Sequence, residues 1–195
     1  MKTPVYLSVR SSFLKSFFTC VLCIVALSVF AQDKTKTIGN KSREGSSNTS
    51  FSAVKGEQVG IQMNAGHKHV QLLKLNFHVA NHANDSVAFK VNVYKMNGKL
   101  PVDSNLVSAI IKGIIPKYKN GEHQLVSVDL SPYNVVISGD ILVSIEFLTT
   151  KSGADISFAC GLLNGGTFHK DTDTAKWKKI PVVGADFNVL VKKLK

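Results

Sequence analysis

Six histidines are the first residues to consider for chemistry in this 195-residue chain. Gly66-His67-Lys68-His69 holds an H-x-H pair. On a strand those two side chains share one face, as two ligands of a zinc-type site must. Completing the site would take His78 or His82 and an acid such as Asp85. The spacing is loose, and Lys68 and Lys74 bring positive charge, so the expectation is surface histidines on a turn, with no metal and no cofactor. A second candidate is a carboxylate pair. Glycoside hydrolysis needs two carboxylates flanking the scissile bond. Glu146 and Asp129 share an outward parity on their strands, yet nothing in the sequence sets them side by side, and solvent-facing strand charges are the simpler reading. A third candidate is a sugar platform. Tyr94, Tyr118, Phe168 and Trp177 fall outside the apolar pattern of the strands. Exposed rings stack on pyranose faces at small entropic cost. Trp177, between Lys176 and Lys178, is foremost among them; its alternative role is a plug at the open end of a sandwich. No nucleophile elbow, phosphate loop or dinucleotide fingerprint is present, so no catalytic residue is assigned.

The charge narrows the partners. Lys plus Arg number 24 against 13 acids, a formal +11, and only Arg10 and Arg43 are arginines. Readers of nucleic acid rely on the arginine fork, whereas lysine is a hydrated point charge that keeps surfaces soluble. The basic balance therefore reads as a solvated coat, not a nucleic-acid footprint.

Residues 1–31 read as a secretory signal. Lys2, Arg10 and Lys15 precede the apolar run Phe17 to Phe30, no acid occurs before Asp33, and cleavage is expected after Ala31. The run is shorter than the ~20 residues a membrane helix needs, so no membrane span is expected in the mature chain. Of the three cysteines, Cys20 and Cys23 leave with the signal, and Cys160 remains as a small buried hydrophobe without a disulfide partner. Residues 32–50 are polar apart from Ile38 and read as a flexible linker that adds little to stability.

The folded domain is expected over 51–195, built from short strands. Leu73, Leu75, Phe77 and Val79 alternate with Lys74, Asn76 and His78, the period of two of a half-buried strand. Val87, Phe89, Val91 and Val93 do the same, as do Ile141, Val143, Ile145 and Phe147. Asn97-Gly98 marks a hairpin, with Leu100 to Asp103 read as a longer loop after it. Gly161 to Trp177 reads as a long irregular loop. With no amphipathic helix to carry parallel crossovers, the pattern predicts an all-β, antiparallel two-sheet β-sandwich, jelly-roll-like, of eight or nine strands.

The order of motifs adds a resemblance. "GEQVGIQM", "HVQLLKLNFHVA", "DSVAFKVNVYKMNGKLP", "GEHQLVSVDLSPYNVVISGDILVSIEFL" and a terminal "WKK…FNVLVKK" together resemble an uncharacterised jelly-roll domain of exported bacterial proteins. That domain also occurs at the C-terminus of proteins with a carboxypeptidase-regulatory-like domain. The resemblance spans about residues 51–195 and implies export and a sandwich; it brings no activity. The expected function is a non-catalytic exported module binding a glycan or a protein partner at the cell envelope, in the periplasm, at the cell surface or outside the cell. The alternatives are an envelope hydrolase using the His or carboxylate groups, and a structural accessory subunit of a surface complex. Ligand and oligomeric state stay open.

Overall fold

The computed structural model describes residues 34–42, 47–117, 122–150 and 155–194. The signal-peptide reading of residues 1–31 and the candidate Tyr118 lie outside the described residues. The chain divides after Lys34, and the strands belong to the unit Thr35–Lys195. In chain order they are β1 (Thr35–Gly39), β2 (Asn48–Ser52), β3 (Gln58–Asn64), β4 (Val70–Asn81) and β5 (Val87–Asn97). Then come β6 (Leu100–Asn105), β7 (Ile111–Ile115), β8 (Gln124–Asp129), β9 (Val136–Ile137), β10 (Asp140–Phe147) and β11 (Asp155–Leu162). β12 (Thr167–Lys170), β13 (Lys178–Ile180), β14 (Val183–Ala185) and β15 (Asn188–Lys193) complete fifteen strands among the described residues. No helix among those residues is long and apolar enough to cross a membrane.

Two sheets carry these strands, and every pairing among the described residues is antiparallel. The eight-stranded sheet runs β1-β15-β4-β11-β14, with β2 on β11 and β8 and β9 on β4. The seven-stranded sheet runs β13-β12-β3-β10-β5-β6, with β7 on β5. The alternating rows predicted from the sequence face each other across one core. Phe89 of β5 and Phe147 of β10 come from one sheet, Phe77 of β4 and Phe158 of β11 from the other, and all four are fully buried. The fold is the antiparallel, jelly-roll-like β-sandwich expected from the period of two.

The strand count exceeds the expected eight or nine because short edge strands have no periodicity of their own. Leu100 to Asp103 belongs to β6, not to a loop, and Asn97 pairs directly with Leu100 around Gly98, whose φ is 62°. The segment Gly161 to Trp177 contains β12, held by β3 through Phe168↔Gly60 and Lys170↔Gln58. In β4 the parity slips. Leu73 is the extra residue of a bulge opposite the Leu190/Val191 step, so Leu72 replaces it in the buried row.

The linker assigned to 32–50 is corrected in the same way. β1 pairs with β15 over five positions, and its one aliphatic residue, Ile38, is buried in the core. β2 pairs with β11 and buries Phe51 beside Phe158, ring centroids 6.0 Å apart. A single aliphatic residue gives no readable period, yet it suffices once a partner strand supplies the hydrogen bonds. Deleting residues 32–41 from the chain that starts at Gln32 is therefore expected to lower the melting temperature by about 5 °C, from one buried Ile plus five lost pairings. Thermal unfolding followed by circular dichroism checks this; an unchanged melting temperature would return the segment to a linker.

Candidate functional site

The outer face of the seven-stranded sheet is built by strand register. Paired residues on antiparallel strands put their side chains on the same face. Since Val59, Val91, Val93, Val143 and Ile145 point into the core, the alternate positions of β3, β5 and β10 point outward. Glu146 pairs with Gln58 on one side and Lys90 on the other, and Lys170 of β12 pairs with Gln58. The result is a cross-strand row Lys170–Gln58–Glu146–Lys90. The next row reads Phe168–Gly60–Ser144–Asn92, and a third places Leu142 beside Tyr94. Gly60 is required at its crossing. A Cβ there would lie 2.3 Å from the Val143 carbonyl oxygen.

These rows are tied into one network before any ligand arrives. Gln58 Oε1 accepts hydrogen bonds from Asn92 Nδ2 (3.2 Å), Tyr94 OH (3.0 Å) and Ser144 Oγ (3.0 Å). Asn92 Nδ2 also donates to Glu146 Oε2 at 2.9 Å, and Lys90 Nζ meets Glu146 Oε1 at 2.9 Å. Asn105 Nδ2 donates to Asn92 Oδ1, while its own Oδ1 accepts the backbone N–H groups of Val93 and Val107 and so fastens the start of the loop after β6. Burial pushes the Tyr94 phenol above its usual range, the Gln58 hydrogen bond opposes this, and the charges of Glu146 and Asp103 add to it.

A groove of about 640 Å³ stands over this floor. Asp103 of β6 forms one side, and Lys170 with Asp173, Thr174, Ala175 and Lys176 forms the other. The latter segment is shaped by a tight turn in which Ala175 N donates to the carbonyl and hydroxyl of Thr172. Asp171 at its base binds Lys178 and His169, and Lys178 holds its carboxyl below the usual range. Next to the floor, burial lifts the Glu57 carboxyl to about 7; the Val54 backbone N–H opposes the shift and the Asp171 charge reinforces it.

The predicted sugar platform is altered by this geometry. Tyr94, Phe168 and Trp177 do come together, but with Met96 and Leu142 as a second hydrophobic cluster instead of an exposed surface. Phe168 is fully buried, and Trp177 is 9% exposed, edge-on to Tyr94 at 5.6 Å. The turn between β12 and β13, which brings Trp177 against this outer face, was invisible in the sequence, so residues outside the main core pattern looked free. Trp177 plugs the outer face of one sheet, not the end of the sandwich, and Tyr94 alone of the three lines the groove.

The other candidates separate. His67 and His69 are exposed in the bend between β3 and β4, where the shared-face argument for a strand does not apply. His82 and Asp85 are exposed in the next turn. His78 is engaged elsewhere: its Nδ1 lies 2.7 Å from Oδ2 of the buried Asp186 and 3.1 Å from Ser42 Oγ. Both partners use the same ring nitrogen, so this trio cannot relay a proton from serine to carboxylate as a hydrolytic triad does. Asp129 is on β8 of the eight-stranded sheet and Glu146 on β10 of the other, so the carboxylate pair does not form. Cys160 is buried in β11. The groove-lining Gln58 and Lys170, and Asn92 and Ser144 of the network beneath them, were missed. The available signal was polar side chains at outward positions of strands whose other face is wholly apolar.

No protein-family model matches the chain, and no curated protein matches it in sequence. Among solved structures it is similar to the clostridial cysteine protease Cwp84 after propeptide cleavage, with a TM-score of 0.55 and 10% identity over 82% of this chain and 40% of that one. The structure of the cysteine protease and lectin-like domains of Cwp84 from Clostridium difficile matches with a TM-score of 0.50 and 8% identity, over 75% and 36% of the two chains. A CBM35 from Cellvibrio japonicus Abf62 matches more loosely, with a TM-score of 0.42 and 13% identity over 80% and 93%. The chain thus spans about two fifths of the length of the Cwp84 chains it resembles. At these identities the Cwp84 likeness is one of fold: a β-sandwich of the same kind.

Proposed function

We propose that the chain is an exported, non-catalytic β-sandwich module that binds a glycan in the groove on the outer face of its seven-stranded sheet. The observation that carries this reading is the Gln58 network, which locks amide, hydroxyl and charged side chains of three adjacent strands beneath a 640 Å³ groove. Sugars present closely spaced hydroxyls and need donors and acceptors at fixed separations. Side chains held by strands and by each other lose little entropy when a ligand docks. Tyr94 adds an amphipathic ring at the floor. Export and a cell-envelope location rest on the reading of residues 1–31, and membership of the exported jelly-roll family belongs to the same proposal.

The test is calorimetry against a panel of envelope and plant oligosaccharides, using the chain from Gln32 onward. At least one glycan is expected to bind, and Glu146→Gln and Lys176→Ala are each expected to weaken it by about tenfold or more. Lys176 is exposed, so its variant should melt with the wild type. Binding that neither substitution alters would move the site away from this groove.

A further inference from the structure

Every amide and carboxylate oxygen of the Gln58 network is engaged, whereas two donors beside it are not. Gln58 Oε1 already receives three hydrogen bonds, both Glu146 oxygens are engaged by Lys90 and Asn92, and Asn92 Oδ1 is taken by Asn105. Three donors on one oxygen fix the orientation of the Gln58 amide. Its Nε2 is therefore the free end, and it makes no hydrogen bond among the described residues, although Gln58 is only 2% exposed.

Lys170 stands beside it, paired with Gln58 across β12 and β3. Lys170 is 6% exposed and lines the groove. Among the described residues its ammonium has no carboxylate and no hydrogen-bond acceptor; its one contact is the Trp177 ring, 5.4 Å from the centroid. Asp103 and Asp173 line the same groove, but both are exposed and neither pairs with it. An ammonium held against an aromatic face with no anionic partner keeps its hydrogen-bond donors available to an acceptor that enters the groove. Two such donors, neighbours in one cross-strand row, fit the two oxygens of one carboxylate.

We infer that the glycan is anchored by a carboxylate, as in a uronic-acid sugar, held between the Lys170 ammonium and the Gln58 side-chain amide. This deepens the groove reading above and rests on it. Charge supplies the selectivity. The carboxylate meets an ammonium with no counter-charge among the described residues, whereas a neutral sugar leaves that ammonium unpaired.

The experiment compares oligogalacturonate, oligoglucuronate and oligomannuronate with their methyl esters and with neutral oligosaccharides, by calorimetry on the chain from Gln32 onward. One acid is expected to bind at least about tenfold more tightly than its own ester. That ratio should fall towards one in Lys170→Met and be kept in Lys170→Arg. In the wild type, raising salt from ~50 to ~500 mM should weaken the acid and spare the ester, a readout that stands even if Lys170→Met fails to fold. Equal affinity for acid and ester, or a preference unchanged by both salt and Lys170→Met, overturns the carboxylate inference and leaves the glycan groove standing. Binding of neither acids, esters nor neutral sugars overturns both.

Discussion

Truncating Phe77 to alanine is expected to cost about 3–5 kcal/mol, the range for a buried aromatic replaced by a cavity. Phe77 is fully buried on β4, the strand of the eight-stranded sheet that pairs with β15, β11, β8 and β9. Its ring stacks on Phe187 at 4.7 Å and meets Phe158 at 5.9 Å in the same sheet. It also meets Phe89 of the opposite sheet edge-on at 5.7 Å, so one side chain joins the two layers. A domain of this size is held by roughly 5–15 kcal/mol in total. The loss would therefore bring the variant close to unfolding, and the described residues include no disulfide to limit it. Urea unfolding of Phe77→Ala beside Phe77→Leu measures the effect. A cost below about 1.5 kcal/mol for the alanine variant would mean that the site collapses around the gap.

Asp186→Ala should be nearly as damaging, for a polar reason. β15 pairs with β4 as far as Asn76, and β11 pairs with it from Val79 onward. Between these two partners the backbone N–H of His78 has no strand to receive it. Asp186, in the short connection from β14 to β15, fills the gap: Oδ1 accepts the His78 N–H at 2.8 Å and Oδ2 meets His78 Nδ1 at 2.7 Å. The carboxylate is completely buried. Removing it strands a buried backbone donor and leaves the ring nitrogen only the Ser42 hydroxyl, at a cost of about 3 kcal/mol. The melting temperature should fall by roughly 10 °C or more. Asp186→Asn keeps an acceptor for the backbone N–H and should recover a good part of the loss. If alanine and asparagine were equally mild, the carboxylate would be packing and not a bridge.

The contrast between these two residues shows what the sequence could reveal. Phe77, Phe89 and Phe147 sit in rows of period two, and such rows declare their facing whatever strand they pair with. Register errors arise only at a bulge, as with Leu73 and Leu72. Asp186 and Lys170 carry no such local sign. The role of Asp186 comes from a divergence of two strands distant in the chain, and that of Lys170 from the pairing of β12 with β3. The period of two puts Lys90 and Asn92 on the outward face of β5, and Glu146 on that of β10. What the sequence lacked was their register, because alternation says which face a residue takes but not which residue lies opposite. The buried state of Phe168 and Trp177 was hidden for the same reason: it depends on a turn that joins two edge strands of only four and three residues.

The position of β15 between β1 and β4 has a consequence in time. Ile38, in the earliest strand described, pairs with Val189, in the latest. The eight-stranded sheet therefore cannot close before β15 has been made, and the sandwich core cannot form without its second wall. Contacts between ends so far apart in sequence make for slow folding, since the loop entropy is spent before the contact is gained. Until then the edges of β1 and β4 that β15 will occupy stay unpaired, open to any strand that reaches them.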